Sequence, residues 1–325
     1  MNFQNYQHKR EDMQEYEKDI ENIIDEDDDE LDLIALVSAN ANDTSQYLVF
    51  EGSDGQFYAK NVSKIEELLV YKDIDIVKTH NNKLIIGTAD IRGKMTSIVN
   101  FDQWFGNEVL PDNEYELIVM AHYGGHRMGM VVKRVECIVN IPPKTMTDNS
   151  ENDEKTTFVT RVNIGQKSEM CLIFDSDKML LDVFDTIDAK AMEDTHQIEK
   201  AKTDKTVLFA DDSRFIRKMA ESLFSKIDVK YKIYNNGQLL LDALKEMDVD
   251  DIALIITDLE MPVLGGREVV EVVRKDKRYD NINIIVHTNM SNDSMKESIF
   301  KAGVQEIIGK VNMLALSEAM KKLMA

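Results

Sequence analysis

The sequence is poor in cysteine, in basic residues and in long apolar runs, and each shortage excludes a class of protein. Only Cys137 and Cys171 occur, in neither a CxxC motif nor a disulfide framework, which fits a reduced, cytosolic compartment. The 60 acidic residues outnumber the 39 basic ones, for a formal net charge of −21. This excess argues against nucleic acid and against an anionic membrane surface as partners. No apolar run approaches the roughly 20 residues of a membrane span, so we expect no membrane insertion.

The first 30 residues contain no apolar core of the kind that a secretory signal needs, so we expect a cytoplasmic protein. Met13, Tyr16, Ile20 and Ile23 recur at helical spacing among charged residues, which predicts an amphipathic helix. The alternative is a solvated tail with transient helicity. An acidic run, Asp25–Glu30, ends this segment and is typical of an exposed linker.

A chain of 325 residues predicts two domains, and residues 31–185 have the pattern of an all-β one. Two brief helical interruptions are predicted near Val62–Leu69 and Asp177–Phe184, and Pro142–Thr157 is predicted to be a long exposed loop. Short runs rich in β-branched and aromatic residues are separated by Gly, Asn and Asp. The runs are Tyr47–Glu51, Gln56–Asn61, Leu84–Thr88, Thr96–Phe101, Glu116–Ala121, Arg127–Val132, Phe158–Val162 and Glu169–Phe174. Because this part carries no phosphate-binding loop and no HExxH motif, it is interpreted as a binding module.

Several of these segments resemble the CheW-type chemotaxis coupling domain. The opening hairpin, the segment after it, the Arg-Gly strand motif and a later Val-rich strand carry the resemblance. They are Tyr47–Glu51 with Gln56–Ala59, Val62–Leu69, Ile91–Phe101 and Gly129–Ile138. The resemblance implies an SH3-like double-barrel β domain that binds chemoreceptors and the regulatory domain of the histidine kinase CheA.

Residues 186–204 are charged and are predicted to be a linker, and residues 205–325 change to an alternating pattern. Apolar strands are predicted at Thr206–Ala210, Tyr231–Tyr234, from Ile252, at Ile282–His287 and at Glu306–Ile308, with a helical pattern after each. Five strands alternating with five helices specify a doubly wound parallel sheet. The common small arrangement is the flavodoxin-like order 2-1-3-4-5.

In that order the first and third strands are neighbours, so Asp211 and Asp212 meet Asp258 at one edge of the sheet. Two carboxylates about 4 Å apart repel by about 4 kcal/mol at an effective dielectric constant near 20. Oxygen-only ligands select a hard cation, and Mg²⁺ accepts one or two carboxylates together with phosphate oxygens. The cluster therefore suits Mg²⁺-dependent phosphoryl transfer to a carboxylate. Thr288 and Lys310 follow the fourth and fifth strands and suit contacts to phosphate oxygens.

The set Asp211-Asp212-Ser213, Asp258, Met261-Pro262, Thr288 and Lys310 resembles the response-regulator receiver domain over residues 205–325. The resemblance implies that Asp258 accepts a phosphoryl group from a histidine kinase. It implies that Asp211, Asp212, Asp258 and the backbone carbonyl of Glu260 form the Mg²⁺ site. Thr288 matches the residue that shifts toward the phosphoryl group, and Lys310 matches the lysine that pairs with it.

This sequence departs from the receiver pattern at three positions. Ile307 replaces the switch aromatic, so the usual aromatic coupling is expected to be absent or altered. Val311 follows Lys310 where proline is usual, which makes a cis bond there costly. Asn289 replaces a small residue, so we expect narrower access to the site or an altered phosphate lifetime.

Other interpretations of the acidic residues exist. Asp211, Asp212 and Ser213 could simply cap a helix, and Asp258 alone could be a turn residue. A haloacid-dehalogenase-type phosphatase also uses an aspartate after a strand, but Glu260 stands where it needs a second aspartate. Turnover of small phosphate esters is therefore not expected.

A coupling domain ahead of a receiver resembles the CheV family of chemotaxis proteins. The resemblance implies a non-enzymatic adaptor that takes phosphate from CheA at Asp258 and adjusts receptor–kinase coupling, or acts as a phosphate sink. The receiver would catalyse only its own Mg²⁺-dependent phosphorylation and dephosphorylation. Its partners would be CheA and the methyl-accepting chemoreceptors, with recruitment to receptor arrays. The alternative is a two-component response regulator whose β-rich half binds an unrelated protein or ligand.

Overall fold

The computed structural model describes residues 45–79, 83–123, 126–184, 200, 203–289, 293–310 and 312–324. The predicted N-terminal helix, the acidic run, most of the predicted linker and Val311 lie outside these ranges. No helix among the described residues is long and apolar enough to cross a membrane.

The N-terminal described part is built from two six-stranded sheets. Its strands are β1 (Ser45–Glu51), β2 (Phe57–Asn61), β3 (Glu67–Val70), β4 (Val77–Lys78), β5 (Ile85–Ile91), β6 (Lys94–Asn100), β7 (Leu117–Tyr123), β8 (His126–Val132), β9 (Arg134–Ile141), β10 (Thr147–Asp148), β11 (Thr156–Ile164) and β12 (Lys167–Phe174). Helix α1 (Phe101–Phe105) follows β6, and helix α2 (Ser176–Val183) follows β12. The sheet orders are β10-β11-β12-β2-β1-β9 and β3-β7-β8-β6-β5-β4. This confirms the predicted two-barrel β domain.

Apolar residues of these strands form two buried clusters. One cluster is centred on Tyr47, Val49 and Phe158, and the other on Ile98, Ile118 and Val131. Some strands are buried on both faces, since Leu48 and Phe50 of β1 are as buried as Tyr47 and Val49.

The predictions for two segments of this domain need correction. Only the first turn of Val62–Leu69 is helical, because Glu67–Val70 pairs with the strand Leu117–Tyr123 and that ladder overrides the local pattern. The segment Pro142–Thr157 is not simply an exposed loop. Ser150 within it is 1% exposed, and its hydroxyl accepts a hydrogen bond from Arg217 of the C-terminal domain.

The C-terminal domain is a five-stranded parallel sheet with helices on both faces. Its elements are β13 (Thr206–Ala210), α3 (Arg214–Ile227), β14 (Lys230–Tyr234), α4 (Gly237–Lys245), β15 (Ile252–Thr257), α5 (Gly266–Lys275), β16 (Ile284–His287), α6 (Asp293–Lys301), β17 (Glu306–Ile308) and α7 (Met313–Met324). The order β14-β13-β15-β16-β17 is the predicted order 2-1-3-4-5. The central strands are buried on both faces, which explains their continuous apolar sequences.

Helix α2 of the β domain packs on the C-terminal domain. Its Leu181 is 4% exposed and belongs to a buried cluster that is otherwise made by C-terminal residues such as Phe209 and Phe224. The Lys178 ammonium lies 5.9 Å from the centre of the Phe215 ring on α3. Helix α2 therefore contacts both the core of the C-terminal domain and its helix α3.

Candidate functional site

Two strand ends bring the predicted carboxylates together. Asp211 follows β13 and Asp258 follows β15, and the Asp258 amide donates a 2.9 Å hydrogen bond to the carbonyl of Ala210. Asp211 is fully buried and Asp258 is 1% exposed. The neighbouring register of these strands therefore places both carboxyl groups at one edge of the sheet, as the sequence predicted.

The loop after Asp258 is closely packed. A Cβ atom on Gly266 would lie 2.0 Å from the Asp258 carbonyl oxygen, so only glycine lets α5 begin here. Val263 in the same loop has a φ of 73°, a conformation that is strained for a β-branched residue. The close contact at Gly266 holds the Asp258 backbone in place.

Lys310 is the central cation of the site. Its side chain is 2% exposed, and its Nζ lies 2.8 Å from Asp258 Oδ2 and 3.2 Å from the Asp211 carboxylate. The amide of Thr288, at the end of β16, donates a 2.9 Å hydrogen bond to the carbonyl of Ile308 just before this lysine. Thr288 is 4% exposed. Asp211, Asp258 and Lys310 thus form one buried charge cluster, with Thr288 beside it at the same edge.

A third carboxylate in the cluster comes from the β domain. Asp177, in the first turn of α2, accepts a 2.8 Å hydrogen bond from Lys310 Nζ at its Oδ2 atom. Its Oδ1 atom accepts a 2.8 Å hydrogen bond from the Asn289 side-chain amide. Asp175 caps α2 by accepting from the amides of Asp177 and Lys178, and it also accepts a 2.9 Å hydrogen bond from the Ser213 hydroxyl. The cap therefore orients Asp177 toward the sheet edge.

Two lysines of the β domain also face the site. Lys64 Nζ lies 3.8 Å from Asp212 Oδ1, and both side chains are largely buried. Burial lowers the pKa of Lys64, but Asp212 and its acidic neighbours outweigh this effect and raise the pKa overall. Lys60 is 3% exposed, and burial together with the nearby Lys64 charge lowers its pKa to about 7. Lys64 thus brings a positive charge of the β domain to the acidic edge.

The pKa values of the buried carboxyl groups shift in different directions. Burial raises the pKa of Asp258 above its usual range, while the Lys310 ammonium opposes that shift. Burial also raises the pKa of Asp211 strongly, and the neighbouring carboxylates add to the effect. Asp177 behaves in the opposite way, because Lys310 and Lys64 outweigh burial and lower its pKa to about 2. Asp177 is therefore the carboxylate that the two lysines stabilise best as an anion.

The carboxylates fit a hard divalent cation. Oxygen atoms of Asp177, Asp211 and Asp212 lie within 4.8 Å of one another, and all three residues are buried. Asp211 Oδ2 and Asp212 Oδ1 are buried and accept no hydrogen bond from the residues that the structure describes. Mg²⁺ prefers such oxygen ligands and would lower the pKa of Asp211 by favouring its charged form.

Comparisons with known proteins identify the two domains. Residues 46–184 match the CheW-like domain, and residues 207–321 match the response regulator receiver domain. The chain is 26% identical to the chemotaxis protein CheV2 of Helicobacter pylori over 315 residues, which cover 90% of this chain and 98% of that protein. It is 27% identical to CheV1 of the same organism, over 88% of this chain and 95% of that protein. The C-terminal domain is 30% identical to the chemotaxis protein CheY1 of Helicobacter pylori, over 32% of this chain and 83% of that protein.

The chain combines a CheW-like coupling domain with a response regulator receiver domain, as the sequence indicated. Most of its length is similar to proteins named CheV. The receiver edge that carries Asp258 lies against the coupling domain.

The structure places the predicted site residues as follows. Asp211, Asp258 and Lys310 are in contact with one another through the lysine, and Asp212 lies beside Asp211. Glu260 lies two residues after Asp258, and its side-chain pKa is raised by burial against the opposing charge of Lys64. The metal-ligand role of its carbonyl, like the roles of the other residues, stays a prediction. Ile307, at the switch position, packs against the receiver core.

Sequence reasoning missed the contribution of the coupling domain. Asp175 and Asp177 precede an apolar helical stretch, which signals a helix cap, but nothing in that pattern indicates that they face the receiver. Lys60 and Lys64 also lack a sequence signal, because lysines are ordinarily exposed. Asn289 stands out in the sequence only as a departure from the receiver pattern, and its contact with Asp177 gives it a role in the structure.

Proposed function

We propose that this chain is a chemotaxis coupling protein whose receiver accepts a phosphoryl group from the histidine kinase CheA at Asp258. The observation that carries the proposal is the buried Asp258 carboxylate with Lys310 Nζ 2.8 Å away, in a receiver joined to a CheW-like domain. The full-length similarity to proteins named for chemotaxis supports the same role.

In the proposed reaction a carboxylate oxygen of Asp258 forms a bond to phosphorus while the bond from phosphorus to the kinase histidine nitrogen breaks. The electron pair of the broken bond stays on the imidazole, and Asp258 becomes an acyl phosphate. Burial raises the pKa of Asp258, and the Lys310 ammonium opposes this shift, so it favours the ionised carboxylate that is the nucleophile. It would then pair with an oxygen of the transferred group.

Thr288 and the acidic pair complete the site. The Thr288 hydroxyl would donate to a second phosphoryl oxygen, since this residue lies at the same sheet edge as Asp258. Asp211, Asp212, Asp258 and the Glu260 carbonyl would hold Mg²⁺, which supplies positive charge to the phosphoryl oxygens when it is bound. Buried oxygens of Asp211, Asp212 and Asp258 accept no hydrogen bond within the described part of the chain, which supports this ligand set.

The coupling domain would bind chemoreceptors and CheA in the cytoplasm and thereby recruit the chain to receptor arrays. Phosphorylation of Asp258 would adjust that coupling or drain phosphate from the kinase. The protein would act as an adaptor and not as an enzyme on a separate substrate. Because the two domains are covalently joined, a change at the receiver acts on the coupling domain at an effective concentration in the millimolar range.

Phosphotransfer from a purified cognate CheA tests the proposal. We expect phosphate on the wild-type chain at Asp258, located by mass spectrometry after borohydride reduction. We expect none on Asp258→Asn and normal uptake on the exposed control Asp280→Asn. Uptake by Asp258→Asn at the wild-type rate would refute the assignment of this residue.

Co-sedimentation with receptor–kinase arrays tests the coupling role. Binding to the arrays in a form that responds to phosphorylation supports the proposal. A chain that is phosphorylated but stays in the supernatant would instead be a response regulator with an unrelated binding module. Turnover of a small phosphate ester is not expected, and turnover that is lost in Asp258→Asn would contradict the adaptor role.

A further inference from the structure

We propose that Asp177 of the coupling domain occupies the place of a phosphoryl oxygen in the receiver site, so that docking of the two domains and phosphorylation of Asp258 exclude one another. The phosphoacceptor site is then also a binding site for a carboxylate of this chain. The inference rests on the proposed function and adds an occupant that competes with the phosphoryl group.

The contacts of Asp177 are those that a phosphoryl group needs. Its Oδ2 atom lies 2.8 Å from Lys310 Nζ, and the same nitrogen lies 2.8 Å from Asp258 Oδ2. Its Oδ1 atom accepts from the Asn289 side chain, which follows Thr288 at the end of the fourth receiver strand. One carboxylate thus uses the lysine next to the phosphoacceptor and an amide donor from the neighbouring strand end. An anionic oxygen on phosphorus seeks the same donors.

The place beside Lys310 is already taken while the domains are docked. Lys310 Nζ lies 2.8 Å from both Asp177 Oδ2 and Asp258 Oδ2, so the two carboxylates share one ammonium. A cavity of about 20 Å³ at the domain boundary is lined by Lys64, Asp177 and Asp212 but not by Asp258, so it gives the phosphoacceptor no room. A phosphoryl group on Asp258 brings three oxygens to Lys310, so Asp177 must leave when the group arrives.

The docked domain also closes the route to Asp258. Asp258 and Lys310 are 1% and 2% exposed, and Asp177 lies against the lysine from the coupling-domain side. A donor histidine must bring its phosphorus to an oxygen of Asp258, and this approach is closed in the docked state. A hydrogen bond beside the site, from Arg217 to the buried Ser150 hydroxyl, strengthens the docked arrangement.

Exclusion works in both directions. Phosphorylation gives Asp258 one further negative charge and engages Lys310, which takes the Lys310 contact away from the buried Asp177. Undocking then exposes the face of α2 and the Asp175–Asp177 turn, which are buried in the docked state. A partner that holds the coupling domain away from the receiver therefore favours phosphorylation of Asp258.

The test compares the full-length wild type with Asp177→Ala, Asp177→Asn and the control Glu151→Gln. Glu151 also pairs across the domains, with Arg214, but its side chain is 77% exposed and lies outside the cavity lining. With acetyl phosphate as donor, we expect Asp177→Ala to phosphorylate at Asp258 at least tenfold faster than wild type. We expect Asp177→Asn to be intermediate and Glu151→Gln to stay within twofold. Asp177→Asn keeps the side-chain shape, so it serves if the alanine variant fails to fold.

A second measurement follows docking without phosphotransfer. Beryllium fluoride with Mg²⁺ mimics a phosphoryl group, and we expect it to speed hydrogen exchange at the amides of Asp177, Lys178 and Ser213 in wild type. The same amides should exchange fast in Asp177→Ala before any addition. Slower exchange on addition of the analogue would mean that Asp177 supports the bound group, and it would overturn the inference.

The failures of the two proposals are distinguishable. If no form of the protein takes up phosphate at Asp258, the proposed function fails. If wild type, Asp177→Ala and Asp177→Asn take up phosphate at equal rates, only the competition fails. Unchanged exchange in wild type with the analogue bound also refutes it.

Discussion

The apolar contact between the domains allows the most direct test of docking, through the substitution Leu181→Ala. Leu181 is 4% exposed and lies in a cluster that the receiver otherwise makes by itself. Truncation of a buried leucine to alanine costs about 2 to 5 kcal/mol. Because Leu181 lies at the boundary between the domains, we expect a loss of about 2 to 3 kcal/mol. The loss should lower the free energy of docking and leave the stability of each domain nearly unchanged. This loss corresponds to a roughly 30- to 160-fold change in the docking equilibrium.

Hydrogen exchange at the Ser213 amide measures that equilibrium. This amide donates to Asp211 Oδ1 at 2.9 Å, and Ser213 is buried where the Asp175 side chain contacts it. In Leu181→Ala we expect its exchange rate to rise by roughly 30- to 160-fold, if exchange occurs through domain opening.

Leu180→Ala is the matched control. Leu180 is 1% exposed on the same helix but does not belong to the receiver cluster. We expect its truncation to lower the unfolding midpoint of the coupling domain with little effect on exchange at Ser213. If Leu181→Ala gives the same result as this control, the receiver does not hold α2 through Leu181, and the reasoning fails.

Three further outcomes are expected. Lys310→Met leaves three buried carboxylates without their shared ammonium. Urea denaturation should therefore show a free energy of unfolding lower by about 3 to 5 kcal/mol. An unchanged midpoint would contradict the charge cluster. Burial and Asp177 raise the pKa of Asp175 to about 6. The folded protein therefore favours the protonated carboxyl, so the free energy of unfolding is highest below pH 4 and falls as the pH rises to 6. Asp175→Asn should therefore gain about 3 kcal/mol over wild type at pH 7 and nothing at pH 4, and a gain independent of pH would refute this cause. Mg²⁺ at a hundred times its dissociation constant should stabilise wild type by about 2.7 kcal/mol in calorimetry, and a similar gain in Asp212→Asn would exclude that ligand.

Much of the receiver is predictable from the sequence because its signals are local. Apolar strands such as Ile252–Thr257 are buried on both faces and appear as continuous runs, and their alternation with helices limits the topology to few choices. Once the strand order is known, residues that follow neighbouring strands must meet at one edge of the sheet. The chain order alone therefore groups Asp211, Asp258 and Lys310.

The coupling domain is less predictable in detail. The segment after Val62 has helical spacing, yet Glu67–Val70 is a strand, because its partner Leu117–Tyr123 lies about 50 residues away and contributes the deciding hydrogen bonds. The polar segment near Ser150 has the composition of an exposed loop, and its burial comes from Arg217 of the other domain. Long-range partners leave little trace in a single sequence.

The sequence by itself determined the two domains, the parallel sheet and the group of Asp211, Asp212, Asp258, Thr288 and Lys310, because strand patterns and chain order are sufficient for these. Only the tertiary structure decided what covers that group. Asp177 is 133 residues from Lys310 in sequence, and its carboxylate ends 2.8 Å from the Lys310 ammonium. No periodicity or motif encodes that distance, because it depends on how one folded surface fits against another. The charged edge of the receiver can therefore be predicted from the sequence, whereas its contact with Asp177 can be known only from the folded chain.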